Sequence, residues 1–203
     1  MTDIPLRLAV LIGSVRDGRI GPTVAHWFAD RARSHGGFEP DLIDIADYEL
    51  PIRLTASPTP STQEALAELT PRLAAAEAFA IVTPEYNHSY PASLKNVIDW
   101  HHLEWAAKPV GLISYGGMAG GLRATEHLRQ VFPELHATTV RDTVSFHRTS
   151  ALDHGPWDDF GGAGKHDSQA ENDATAATKV LLDQLEWWGN ALRDARGKRP
   201  YQV

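Results

Sequence analysis

The chain has no cysteine, and only two of its 203 residues are methionine. The first absence excludes disulfides, thiol nucleophiles and iron–sulfur clusters held by cysteine, and it is compatible with a reducing compartment. Positive charge is also in short supply: 19 lysines and arginines face 26 aspartates and glutamates, a formal net charge of −7. Nonspecific binding to nucleic acid or to an anionic membrane needs an excess of cations or a local cluster of them, and the sequence has neither. Long apolar runs are missing as well. No segment approaches the roughly 20 residues that span a bilayer, and the stretch from Met1 to Ser14 lacks a basic region followed by a cleavable apolar one. The expectation is a cytoplasmic protein with no nucleic-acid or membrane partner.

What is present is ordinary for a globular chain, 42% hydrophobic and 22% charged, at a length that suits a single domain over residues 1–203 with an extensive core. Short apolar runs alternate with longer amphipathic stretches, the rhythm of βαβ units around a parallel sheet. Strands are expected at 6–12, 41–45, 78–83, 109–114 and 137–144, and helices near 21–35, 62–76, 91–103, 120–131 and 172–195. Val24, Trp27, Phe28 and Ala32 share one face of the first helix, and Leu181, Leu185, Trp188 and Leu192 one face of the last, so these aromatics are expected in the core. Pro91 sits near a helix start with Ser89 or Tyr90 as its expected cap, and Leu94, Val97 and Ile98 are expected to face inward. Residues 145–170, with Gly155-Pro156 and Gly161-Gly162, have no sustained period and read as a long excursion.

Two loops, each between an apolar run and a helical pattern, carry the chemistry. Gly13-Ser14-Val15-Arg16-Asp17-Gly18-Arg19-Ile20-Gly21 combines glycines, which permit close approach of a ligand, with a helix N-terminus, whose unpaired N–H groups favour an anion. Thr83-Pro84-Glu85-Tyr86-Asn87 offers aromatic surface and peptide groups suited to a flat polar ring. A third loop runs from Ser114 to Gly121. In an open sheet of order 2-1-3-4-5 the strand order reverses between strands one and three, and all three loops then share one rim. Other readings are weaker. His101, His102, His147, His154 and His166 lack metal-ligand spacing and read as surface or packing residues, and Ser14 has no GxSxG elbow to make it a hydrolase nucleophile.

The segments GSVRDGRIG, TPEYNHSYPASLKNVIDW and KPVGLISYGGMAGGLRATEHLR together resemble the NAD(P)H-dependent FMN reductases of flavodoxin-like fold, a family that includes quinone, chromate and azo-dye reductases. The resemblance covers roughly residues 6–140. It implies a noncovalent FMN whose phosphate meets Ser14, Arg16 and Arg19 and the N–H groups near Ile20 and Gly21. The isoalloxazine ring would lie along Pro84, Glu85, Tyr86 and Asn87, with Ser114, Tyr115, Gly116 and Gly117 at its other edge. Asp17 stands where similar loops often carry proline, and its side chain is expected to point outward. Arg123 is read as a helix-surface ion pair that is within reach of a pyridine-nucleotide phosphate. Hydride would pass from NAD(P)H through FMN to a flavin, quinone or similar acceptor with ping-pong kinetics, and no side chain serves as a nucleophile. A homodimer is implied, with the helix after TPEYN and the segment Trp100 to Trp105 near the contact. The alternatives are a flavodoxin-like electron carrier and a flavin-binding redox regulator, neither of which turns over NAD(P)H directly.

Overall fold

The computed structural model describes residues 4–147 and 169–202. Five apolar runs become strands: β1 (Leu6–Ile12), β2 (Phe38–Asp44), β3 (Ala78–Pro84), β4 (Pro109–Gly116) and β5 (Thr138–His147). They pair in parallel, as the alternating pattern implies, and their order is β2-β1-β3-β4-β5, the one that puts the three loops on one rim. Helices α1 (Gly21–His35), α2 (Pro60–Ala75), α3 (Ala92–Trp100), α4 (Leu122–Glu134) and α5 (Gln169–Lys198) cover both faces. Alternation along the central strands feeds two cores. Leu8 and Val10 meet Val24 and Phe28 of α1 and Leu181 and Leu185 of α5 on one side, while Leu11 and Ile81 meet Leu69, Leu94, Leu128 and Phe132 of α2, α3 and α4 on the other. Because both faces are buried, the central strands carry almost no polar residue.

Several boundaries differ from the sequence reading, each for a physical reason. β2 starts at Phe38 rather than residue 41, because it is an edge strand and Pro40 costs no ladder bond on the open side. β5 reaches His147, so residues 145–147 belong to the sheet; the rest of the expected excursion, with His154 and His166, lies outside the described residues. Neither Ser89 nor Tyr90 caps α3: Pro91 is itself the cap residue, extended at ψ 143°, and Ser89 Oγ instead meets Nδ1 of His127 at 2.9 Å. The inward residues Leu94, Val97 and Ile98 are buried as expected, but α3 stops at Trp100, where His101 turns extended and packs its ring between Val97 O and Thr70 Oγ1. In α5, Leu181 and Leu185 are buried, whereas Trp188 is 40% exposed and Leu192 only partly covered. A helix of 30 residues spans about 45 Å, longer than any strand beneath it, so its last turns run past the sheet.

Lys108 shows how tightly the sheet's lower edge is packed. Its side chain is 94% buried, and Nζ donates to the Leu73 and Ala74 carbonyls at the end of α2, 3.1 and 2.9 Å away. Burial, reinforced by Arg196, lowers its pKa to about 8. A base whose folded pKa lies below the unfolded value of 10.5 binds fewer protons when folded, so its contribution to stability rises with pH between those two values. The stability advantage of wild type over Lys108→Met is expected to grow from pH 8 to pH 10 in urea titrations; an advantage that shrinks over that range would refute the assignment.

Candidate functional site

The carboxyl ends of β1, β3 and β4 open onto a cleft of about 390 Å³ lined by Arg16, Gly18, Arg19 and Ile20 from the first loop, Pro84, Glu85 and Tyr86 from the second, and Tyr115, Gly116 and Gly117 from the third. The three loops meet because β1 lies between β2 and β3, so that the chain reverses its direction of travel across the sheet at this point.

The anion end is built on the start of α1. No side chain caps that helix, its first turn holds no acid, and Pro22 contributes no N–H, so the peptide donors there are left for a ligand. Ser14 is fully buried beside them; its Oγ has no well-formed hydrogen bond and lies next to the Tyr115 hydroxyl. Gly21 is required by this approach. A Cβ at position 21 would overlap Ser14 Oγ and stand 2.9 Å from Tyr115 Oη. Burial pushes the Tyr115 phenol up to about 12, with the contact to Ser14 pulling the other way, so the hydroxyl stays protonated and can donate.

The two arginines of the loop differ. Arg19 is committed: Nη1 and Nη2 grip both oxygens of Asp44 at 2.6 Å, and Nη1 also donates to Ser14 O at 2.7 Å. Asp44 thereby holds Arg19 charged and locks the first loop onto the end of β2. Arg16 is exposed, forms no ion pair among the described residues, and lies 5.9 Å over the Tyr86 ring. It is the cation of this loop available to an incoming anion. Asp17 is exposed, in keeping with its expected outward orientation.

The second loop is a tight hairpin. Tyr86 and Ser89 exchange backbone hydrogen bonds at 2.7 and 3.0 Å, and the two residues between them, Asn87 and His88, both have positive φ, 49° and 70°. Such a turn presents Tyr86 to the cleft and leaves Asn87 exposed outside its lining. Glu85 turns away: its carboxylate accepts from Arg123 Nη1 at 2.7 Å and from the Arg123 N–H at 3.1 Å, tying the loop to α4. Burial would raise its pKa, but these bonds prevail and hold it below the usual value. Arg123 thus forms the ion pair expected of it.

The third loop is braced from behind. Ser114 is buried below the cleft, and its hydroxyl and that of Ser145 both donate to Gly120 O at 2.8 Å. The His147 ring sits between Met118 O (3.2 Å) and Ser145 Oγ (3.3 Å). Gly120, at φ 57°, has no room for a side chain, since a Cβ would lie 2.6 Å from His147 Nε2. Asp44 and Ser145 escaped the sequence reading, and His147 was expected only as a surface or packing residue. Asp44 alone had a signal, because the order 2-1-3 places the end of β2 beside the end of β1, and the register pairs it with Ile12.

Residues 6–151 match the sequence profile of the NADPH-dependent FMN reductases. An NAD(P)H-dependent FMN reductase of Schizosaccharomyces pombe is 35% identical over 122 residues, 57% of this chain, and the match spans 60% of that relative's length. A quinone reductase of Escherichia coli K12 is 32% identical over 174 residues, 77% of this chain and 90% of its own. Among solved structures, the flavoenzyme NAD(P)H:(acceptor) oxidoreductase of Paracoccus denitrificans superposes with a TM-score of 0.63 over 92% of this chain and 98% of its own, at 20% identity, a likeness of fold.

Proposed function

Because the chain belongs to the NADPH-dependent FMN reductase family, we propose that it binds FMN in the three-loop cleft as a single flavin-binding domain and passes reducing equivalents from NAD(P)H to a quinone, a flavin or a similar acceptor. The observation that carries this reading is the anion cradle, in which the uncapped start of α1, the buried Ser14 hydroxyl and Arg16, which forms no ion pair among the described residues, converge next to a cleft walled by Tyr86 and Tyr115. A phosphate attached to a flat ring fits that donor set. FMN, when bound, supplies the two-electron chemistry.

The chain's own residues bind, orient and exclude water. Arg16 supplies charge to the phosphate end, and Arg19, held by Asp44, shapes the loop around it. Tyr86 and the backbone of Pro84 to Tyr86 suit one edge of the ring, and Gly116 and Gly117 leave the opposite side open. An open site of this kind serves nucleotide and acceptor in turn, hence ping-pong kinetics, and it discriminates weakly among acceptors. No side chain is assigned as a catalytic nucleophile or base. Arg16→Ala is expected to weaken FMN binding about 10- to 100-fold, the loss of a charge-assisted contact worth roughly 1.5–3 kcal/mol; a folded variant that binds FMN as wild type does would remove Arg16 from the cradle.

The proposal includes a homodimer across α3. Trp105, in the segment placed near that contact, is fully buried in its own chain. Exposed apolar residues do lie at this surface: Ile52 is 88% exposed, Leu54 52% and Leu103 66%, and the loop carrying the first two is pinned to α3 by Trp100 Nε1–Pro51 O and Asn96 Nδ2–Leu50 O bonds. Ile52→Asp should lower the mass measured by sedimentation from dimer to monomer. Wild type that sediments as a monomer at all concentrations would refute the dimer. Among the described residues no helix is long and apolar enough to cross a membrane, and the chain is proposed to act in the cytoplasm. The deciding experiment is an anaerobic spectrum of the FMN-loaded protein: bleaching by NADH or NADPH and recovery with a quinone support the reductase, whereas FMN that stays oxidised with both nucleotides points to an electron carrier.

A further inference from the structure

At the sheet's other edge, where β4 and β5 begin, lies a second and larger cavity of about 750 Å³. It is an open hollow lined in part by the last turns of α5 and by the residues that follow them. Ala107 on its wall and Gly116 at the flavin cleft sit at opposite ends of β4, so one small ligand cannot occupy both.

Its lining combines aromatic faces with two arginines. Trp188 and Tyr201 are 40% and 51% exposed, and Leu192 and Ala195 supply apolar surface between them. Arg196 and Arg199 both line the hollow, and neither forms an ion pair among the described residues. Arg196 donates to the Ala107 carbonyl, and Arg199 is exposed. Burial opposes the Arg196 charge, Glu77 partly offsets that effect, and Arg193 adds to it. Two carboxylates at this end are engaged elsewhere, while Glu134 and Asp194, next in sequence to the lining residues Pro133 and Ala195, are exposed. Glu77 lies 3.6 Å from Arg193 and accepts from the Arg7 N–H, and Glu104 accepts from the His102 N–H. In a chain of net charge −7, a hollow lined by two arginines that form no ion pair among the described residues favours an anion.

The backbone here is held in a costly conformation. Four non-glycine residues among those described have φ in the left-handed region: Asn87 and His88 in the flavin-side hairpin, and Ala107 (54°) and His136 (57°) on this wall. The last two are joined by a 2.8 Å bond from Ala107 N–H to His136 O. His136 follows α4 at the place where glycine would avoid a cost of about 1 kcal/mol. Its ring is used instead: Nδ1 meets the Tyr201 hydroxyl at 2.9 Å, which fixes the aromatic wall. Strained backbone of this kind clusters at binding and catalytic sites.

We propose that this cavity is a second binding site, specific for a planar aromatic anion such as an aryl carboxylate or sulfonate, with the ring against Trp188 and Tyr201 and the acid group on Arg199 and Arg196. The volume suits a molecule of one to three rings. The site is independent of the flavin reading, and so is its test. Titration calorimetry of the FMN-saturated protein with 2-naphthoate should show saturable binding, with the neutral 2-naphthamide bound about tenfold more weakly. Arg199→Gln should weaken naphthoate about tenfold and leave naphthamide unchanged, while Trp188→Ala weakens both. Both substitutions are at partly or fully exposed positions and leave the sheet untouched. Naphthoate binding should be equal with and without FMN. Three results would each overturn the proposal: no saturation in the millimolar range, affinity indifferent to both substitutions, or binding abolished by saturating FMN, which would assign the ligand to the flavin cleft.

Discussion

Trp105→Ala is expected to lower the unfolding free energy by about 3–5 kcal/mol, enough to bring the melting temperature down by roughly 10 °C in a chain of this size. Trp105 has no exposed surface. Its ring meets Phe79 of β3 at 4.6 Å between centroids and Phe132 of α4 at 5.6 Å, and its Nε1 donates to His101 O at 3.0 Å. Truncation therefore leaves a cavity between sheet and helix, removes two aromatic contacts, and orphans a carbonyl already withdrawn from solvent. Trp105→Phe keeps most of the volume and should recover more than half of the loss. Urea unfolding of the three proteins decides the matter; a loss below about 1 kcal/mol for the alanine variant would show that the segment after α3 is not part of the core.

The largest expected effect on ligand binding is that of Gly21→Val, which should reduce FMN affinity at least 100-fold, or about 2.7 kcal/mol. A side chain there fills the space in which Ser14 Oγ and Tyr115 Oη converge, and it has Ile12 Cγ2 3.1 Å behind it, so it has nowhere to withdraw. Gly18→Ala is the informative contrast. A Cβ at position 18 meets nothing within 4 Å, and only its φ of 66° opposes the change, a backbone cost of about 1–2 kcal/mol. Fluorescence titration of FMN against both variants, with circular dichroism to confirm folding, separates occlusion from strain. If folded Gly21→Val binds FMN as wild type does, the phosphate does not sit at the start of α1.

How much was legible depended on the range of the interaction. The runs that became β1, β3 and β4 are apolar throughout because both faces are covered, and such runs are visible without any partner. β2 was less plain, since its edge position admits Pro40 and half-exposed acids into the strand. The exposure of Trp188 was also hidden: its spacing matches Leu181 and Leu185, and nothing local says that the sheet ends beneath it. In the cleft, the loop residues were readable as motifs, and most of them do line one space. Their division of labour was not. Arg16 and Arg19 are three residues apart in one loop, yet Asp44, 25 residues further along the chain, engages one and leaves the other available.

The sequence by itself determined the parallel sheet, the position of its glycine-bearing loops and the absence of thiol chemistry, because hydrophobic period, glycine placement and composition act locally or on the whole chain at once. Tertiary structure alone decided which charges are neutralised. Glu85 is spent on Arg123, Arg19 on Asp44, and Gly120 is braced by Ser145 and His147, while Arg16, Arg196 and Arg199 stay unpaired among the described residues. Ion pairs and hydrogen bonds require approach to about 3 Å at a suitable angle, and that approach is set by how strands distant in sequence come to lie side by side.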